Sequence, residues 1–113
     1  MIAVILLSGA ALFSASPQPP RCLLVFEASW CGPCQAMLPD VHKLIAEGYD
    51  VRIADVDQYR ALARSFGVSA VPEVMVIEQR DGAIMAAFRP GAGRRRPDEL
   101  RAIVRTWGVR RNY

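Results

Sequence analysis

Two cysteines separated by two residues, in the run Trp30-Cys31-Gly32-Pro33-Cys34, constrain this chain more than any other feature because of what flanks them. Before them, Cys22-Leu23-Leu24-Val25-Phe26 is a short apolar run of the kind that a buried central strand presents on both faces. After them, Met37, Leu38, Val41, Leu44 and Ile45 recur at helical spacing, and Gly48 suits the left-handed cap that ends a helix. The pair therefore falls where a strand hands over to a helix, with Cys31 at the helix N-terminus and Cys34 one turn inside. Pro33 fits a first turn, whose N–H groups lack intrahelical partners, whereas Pro39 is expected to kink the helix.

The rest of the chain supplies partners for that strand. Val51 to Val56 reads as a second strand, and Asp57 is placed to cap a helix carrying Tyr59, Leu62, Ala63 and Phe66, which Gly67 stops. Val74-Met75-Val76-Ile77 and Ala83 to Phe88 read as strands joined by Arg80-Asp81-Gly82, where Asp-Gly is a strong hairpin signal. Pro97 opens a last helix, Asp98 and Glu99 favour its N-terminus, and Leu100, Ile103, Val104 and Trp107 form one apolar stripe. The order βαβαββα predicts an α/β fold, with a right-handed parallel crossover followed by a hairpin and helices flanking a mixed central sheet. Phe66, Met75, Met85 and Trp107 are read as core. At 113 residues the chain suits one domain, and hence one site.

A dithiol that exchanges electrons needs one thiol that is exposed and ionises near neutral pH, and a second that can attack the resulting mixed disulfide. A helix N-terminus stabilises a thiolate through its unpaired N–H groups and positive dipole end, so Cys31 is the predicted nucleophile and Cys34 the resolver. Gly32 lets a partner's backbone approach, Pro33 limits the flexibility of the turn, and Trp30 offers an apolar surface for substrate. The competing reading is a zinc site, for which Cys22, Cys31, Cys34 and His42 supply ligands by type. His42 falls opposite much of the apolar stripe and reads as a surface residue. Cys22 begins a buried strand and reads as an inert thiol, or as a cysteine that pairs with another chain.

The net charge of +3 comes almost wholly from arginine, and Arg94, Arg95, Arg96, Arg101, Arg105, Arg110 and Arg111 make the C-terminal quarter basic. No aromatic residues interleave there to stack bases, so a solvated face is expected and not a nucleic-acid site. Residues 1–15 carry no charged side chain, and small residues and Pro17, Pro19 and Pro20 follow them. This apolar run is short for a bilayer span, and Ser14 and Ser16 fit a cut after Ser16. Residues 1–20 are thus expected to form a signal peptide or N-terminal membrane anchor with a proline-rich linker, and 21–113 the folded domain, exported to the periplasm or anchored facing outside the cytoplasm.

Phe26-x-Ala28-x-Trp30-Cys31-Gly32-Pro33-Cys34, then Pro39, Asp57, Val71-Pro72 and Gly91, resemble the thioredoxin family from Cys22 to about Trp107. The resemblance implies a thioredoxin-like fold and a thiol:disulfide oxidoreductase that acts without cofactor or metal. It further implies that the Val71–Pro72 bond is cis, that Pro72 faces the dithiol, and that the backbone of Val71 pairs with substrate. The Gly-Pro dipeptide resembles that of reducing members, which predicts reduction of disulfide-bonded proteins by a monomer that draws electrons from an upstream thiol donor, in the membrane if the chain is exported.

The chain also departs from the family. The usual first strand and helix are not recognisable, Val25 replaces the buried aspartate beneath the resolving cysteine, Ile53 replaces the lysine often paired with it, and Glu73 follows Pro72 in place of threonine. Glu27, two residues along the same strand face as Val25, is the candidate proton acceptor for Cys34, acting through a water. The missing carboxylate supports the alternative function, a non-catalytic binding module with a static Cys31–Cys34 disulfide.

Overall fold

A computed structural model describes residues 18–111. The apolar segment read as a signal or anchor lies outside them. Seven elements follow in the expected order: β1 (Arg21–Glu27), α1 (Gly32–Ala46), β2 (Val51–Asp55), α2 (Arg60–Ser65), β3 (Glu73–Arg80), β4 (Ala83–Phe88) and α3 (Pro97–Thr106). The sheet is four-stranded in the order β2-β1-β3-β4. β1 pairs parallel with β2 and antiparallel with β3, and β3 pairs antiparallel with β4, so the strand leading into the cysteines lies in the interior of the sheet. Asp81 and Gly82 both take positive φ, 53° and 79°, and close the β3–β4 hairpin as the Asp-Gly pair predicts.

Side chains alternate across the sheet and divide the core in two. Leu23 and Val25 of β1, with Val51, Val74 and Val76, pack against Met37, Val41 and Leu44 of α1 and Leu100 and Val104 of α3. Leu24 and Phe26, with Ala54, Met75 and Ile77, face the short α2 through Ala63, Leu62 and Phe66. α1 runs through Pro39 without interruption and ends with Gly48 at φ 95°, where the Gly48 and Tyr49 amides donate to the carbonyls of Ile45 and Leu44, both at 3.1 Å. This paired closure satisfies the last carbonyls and turns buried Tyr49 into the core. The same pattern closes α2 before Val68 and α3 before Val109.

Three expectations are corrected. Asp57 does not cap α2, whose N-cap is Tyr59: the Asp55 carboxylate accepts the Asp57 amide at 2.8 Å, so a tight turn after β2 displaces the helix start. Met85 is exposed, because β4 is an edge strand with no described element packed over its first residues. Cys22 is half-buried and unpaired in any disulfide, lining a surface depression with Pro20, Asp50, Arg52, Ile77 and Ile84. Burial pushes its thiol pKa up, opposed by the nearby Arg52 charge, so it ionises less readily than an ordinary cysteine.

Most of the C-terminal arginines are committed within the molecule. Arg101 grips Glu47 with two hydrogen bonds of 2.6 and 2.8 Å, tying α3 to the end of α1, and Arg110 lies over the Tyr49 ring at 4.7 Å. Arg95 donates to the Gly91 carbonyl and Arg96 pairs with Asp98 and Glu99. Among the described residues no helix is long and apolar enough to cross a membrane.

Candidate functional site

The interior strand β1 ends at Glu27, and the chain turns once before α1 begins, which carries Cys31 and Cys34 to the C-terminal edge of the sheet. Cys31 is the N-cap residue of α1, with extended backbone and its sulfur accepting the Cys34 amide at 3.2 Å. A sulfur in this position takes the place of a capping oxygen, satisfying one of the amides left over at a helix start. The same amide stabilises negative charge on that sulfur once the disulfide opens. The two cysteines form a disulfide, with Cα atoms 5.2 Å apart.

Cys31 is more buried than the sequence reading of an exposed nucleophile implies, while Cys34 lies inside as expected. Cys31 keeps 5% of its surface and Cys34 none. They form a small cluster with Ala28, against which Val56 and Val71 pack. Of the two, only Cys31 keeps any exposure. Gly32 and Pro33 are exposed beside them, and a Cβ built on Gly32 meets nothing within 4 Å, so the space above the dithiol is open.

The Val71–Pro72 bond is cis, and the Val71 carbonyl oxygen lies 3.7 Å from Cys31 Sγ, close enough to accept a hydrogen bond from the reduced thiol. Trp30 is 69% exposed, and its indole N–H donates to Asp57 Oδ2 at 2.9 Å. That bond fixes the ring at one wall of a shallow groove completed by Val56, Val68, Ser69, Ala70 and Val71. Sequence reasoning missed the role of Asp57 in orienting Trp30, and the Trp-to-Asp separation carries no periodic signal that could have found it.

Val25 and Ile53 are register partners on adjacent strands, both turned toward α1 and α3, so the site's inner flank is apolar where family members usually hold charges. Glu27, on the same face of β1, is half-exposed and accepts a 3.2 Å hydrogen bond from Gln35, the residue that follows Cys34. Gln35 also donates to the Ala28 carbonyl at 3.1 Å, which holds Glu27 beside the first turn of α1. Glu73 is buried, but it pairs in register with Phe26 and so lies on the opposite face of the sheet from Val25, engaged by Arg89. His42 is exposed on α1, and among the described residues no group of His, Cys, Asp and Glu side chains converges as metal ligands do.

The sequence pattern of the thioredoxin family matches residues 11–106, beginning ahead of β1 and running through α3. Mouse mitochondrial thioredoxin is 32% identical over 83 residues, covering 71% of this chain and 47% of the mouse protein. Chicken protein disulfide-isomerase is 37% identical over 94 residues, covering 77% of this chain and 18% of that one. The chain thus spans about half the length, or less, of these relatives. Among solved structures, a variant thioredoxin from Halobacterium salinarum superposes with a TM-score of 0.61 at 33% identity, covering 79% of this chain and 75% of that one. A dithiol at the head of α1, an adjacent cis-proline and a match across nearly the whole described fold converge on one assignment: the chain belongs to the thioredoxin family.

Proposed function

We propose that this domain is a thiol:disulfide oxidoreductase that reduces disulfides in other proteins. The observation that carries the proposal is the Cys31 sulfur at the helix start, receiving the Cys34 amide and retaining the pair's only exposure. In the reduced enzyme the Cys31 thiolate attacks one sulfur of a substrate disulfide. A new S–S bond joins protein to substrate, and the other substrate sulfur leaves as a thiolate that takes up a proton. Cys34 then gives up its proton, with Glu27 as the acceptor through a water, and its thiolate attacks Cys31 Sγ. The mixed disulfide breaks, the substrate departs with both thiols reduced, and the protein keeps the Cys31–Cys34 disulfide. Two electrons have passed to the substrate.

Trp30, Gly32, Pro33, Val71 and Pro72 form the docking surface in this reading, with the partner's backbone lying along the groove below Trp30. The protein acts as a monomer and needs an upstream thiol donor to reopen the disulfide. Replacing Cys34 by serine is expected to leave the first attack intact and block release, so mixed disulfides with substrate proteins accumulate and disappear on adding dithiothreitol. Recovery of partners without any covalent link would favour the static binding module instead.

Residues 1–20 direct export in this proposal, on the strength of an uncharged apolar run followed by small residues and prolines. Fusing them to a reporter that is active only outside the cytoplasm is expected to give activity comparable to that of an established signal. Retention of the fusion in the cytoplasm would overturn the export reading, and with it the membrane electron donor, without touching the thiol chemistry.

A further inference from the structure

Glu73 follows Pro72 directly and is 4% exposed, yet it carries a carboxylate. Arg89, beyond the end of β4, grips it with two donors: Nε to Oε2, and Nη2 to Oε1 at 3.1 Å. The same guanidinium donates through Nη1 to the Phe66 carbonyl and through Nη2 to the Gly67 carbonyl, the latter at 3.2 Å. One planar group therefore joins the C-terminal end of α2 to the first residue of β3. Residues 68–72 run between those two anchor points, and they include the groove wall and the Val71 carbonyl that faces Cys31.

The geometry explains why arginine is used. Its fork presents parallel N–H groups to a carboxylate and keeps further donors for backbone carbonyls, whereas a lysine ammonium is a point charge on a flexible stem. The Glu73 hydrogen bond holds the Arg89 pKa above its ordinary value, so the guanidinium stays charged throughout the neutral range. On the other side of Pro72, its carbonyl accepts the Gly93 amide at 2.8 Å, and Glu73 forms an isolated bridge with Ala92. Residues 68–72 are thus held at both ends by groups that take no part in the thiol chemistry.

We infer that Glu73 and Arg89 form a positioning clamp that sets the 68–72 loop against the dithiol and so governs how tightly a disulfide-bonded protein docks. The inference rests on the reductase reading for its consequence in kinetics, but not for its consequence in loop dynamics. Arg89→Lys keeps the charge opposite Glu73 and loses the fork, and Glu73→Gln keeps the shape and loses the charge. Both are expected to fold. In each, KM for a disulfide-bonded protein substrate is expected to rise about tenfold with kcat held within about twofold, because a loop released from the clamp is competent to dock for only part of the time and substrate binding must re-order it. Amide exchange at Val68 and Gly93, whose N–H groups close the two ends of the loop, is expected to speed up while exchange in β1 is unchanged.

An active parent whose variants keep the parental KM would overturn the clamp, as would a fall in kcat with KM unchanged. Unaltered exchange at Val68 and Gly93 in both variants would overturn it whether or not the parent is active. An inactive parent with faster loop exchange in the variants would leave the clamp standing and remove the reductase reading.

Discussion

Replacing Cys31 by serine is expected to drop the reduction of a disulfide-bonded protein to the rate given by the chemical reductant alone, while the domain remains folded. The two halves of that expectation have separate causes. Serine is among the best N-cap residues, so its hydroxyl can accept the Cys34 amide that the sulfur now accepts at 3.2 Å, and α1 keeps its start. What serine cannot do is ionise near neutral pH or attack sulfur as a thiolate does. The measurement is turnover of a protein disulfide by the purified domain, with circular dichroism confirming the helix content. Turnover above the uncatalysed rate in the serine variant would remove Cys31 as nucleophile. No turnover in the parent would remove the enzyme.

The second large effect concerns stability. Phe26 is fully buried, its ring 6.3 Å from that of Phe66, and it belongs to the half of the core that faces α2. That helix has six residues, so few side chains are available to move into a vacated space. Phe26→Ala is expected to cost about 3–5 kcal/mol, set by lost burial plus the cavity left behind. For a domain whose whole stability is roughly 5–15 kcal/mol, this lowers the denaturation midpoint steeply and lowers Tm by at least about 10 °C. Urea unfolding of the disulfide-bonded form, followed by tryptophan fluorescence, reads the change. A loss below about 1 kcal/mol would mean that α2 closes over the gap, and that this half of the core is softer than its packing indicates.

Features governed by short-range chemistry were legible from the sequence. The Asp81-Gly82 turn, the Gly48 and Gly67 closures of the first two helices and the placement of Cys31 at a helix start depend on residues within a few positions of one another. The resemblance singled out Val25 and Ile53 as departures from the family, and the parallel register of β1 against β2 sets the two side by side. Long-range pairings were not legible. Trp30 and Asp57 meet across 27 residues, and Glu73 and Arg89 across 16, so each depends on strand order and register that no local pattern encodes. Glu73 stood out in the sequence as a departure beside Pro72, but nothing marked Arg89 as its counterpart. Met85 was misplaced because an apolar strand reads alike whether both of its faces are covered or it lies at a sheet edge.

The open space around Gly32 separates two design problems that are usually entangled. Its backbone takes no left-handed conformation, and a Cβ added there meets no atom within 4 Å outside its own turn, so the fold does not require glycine at that position. What favours glycine there lies outside the fold, with whatever approaches the exposed mouth of the disulfide.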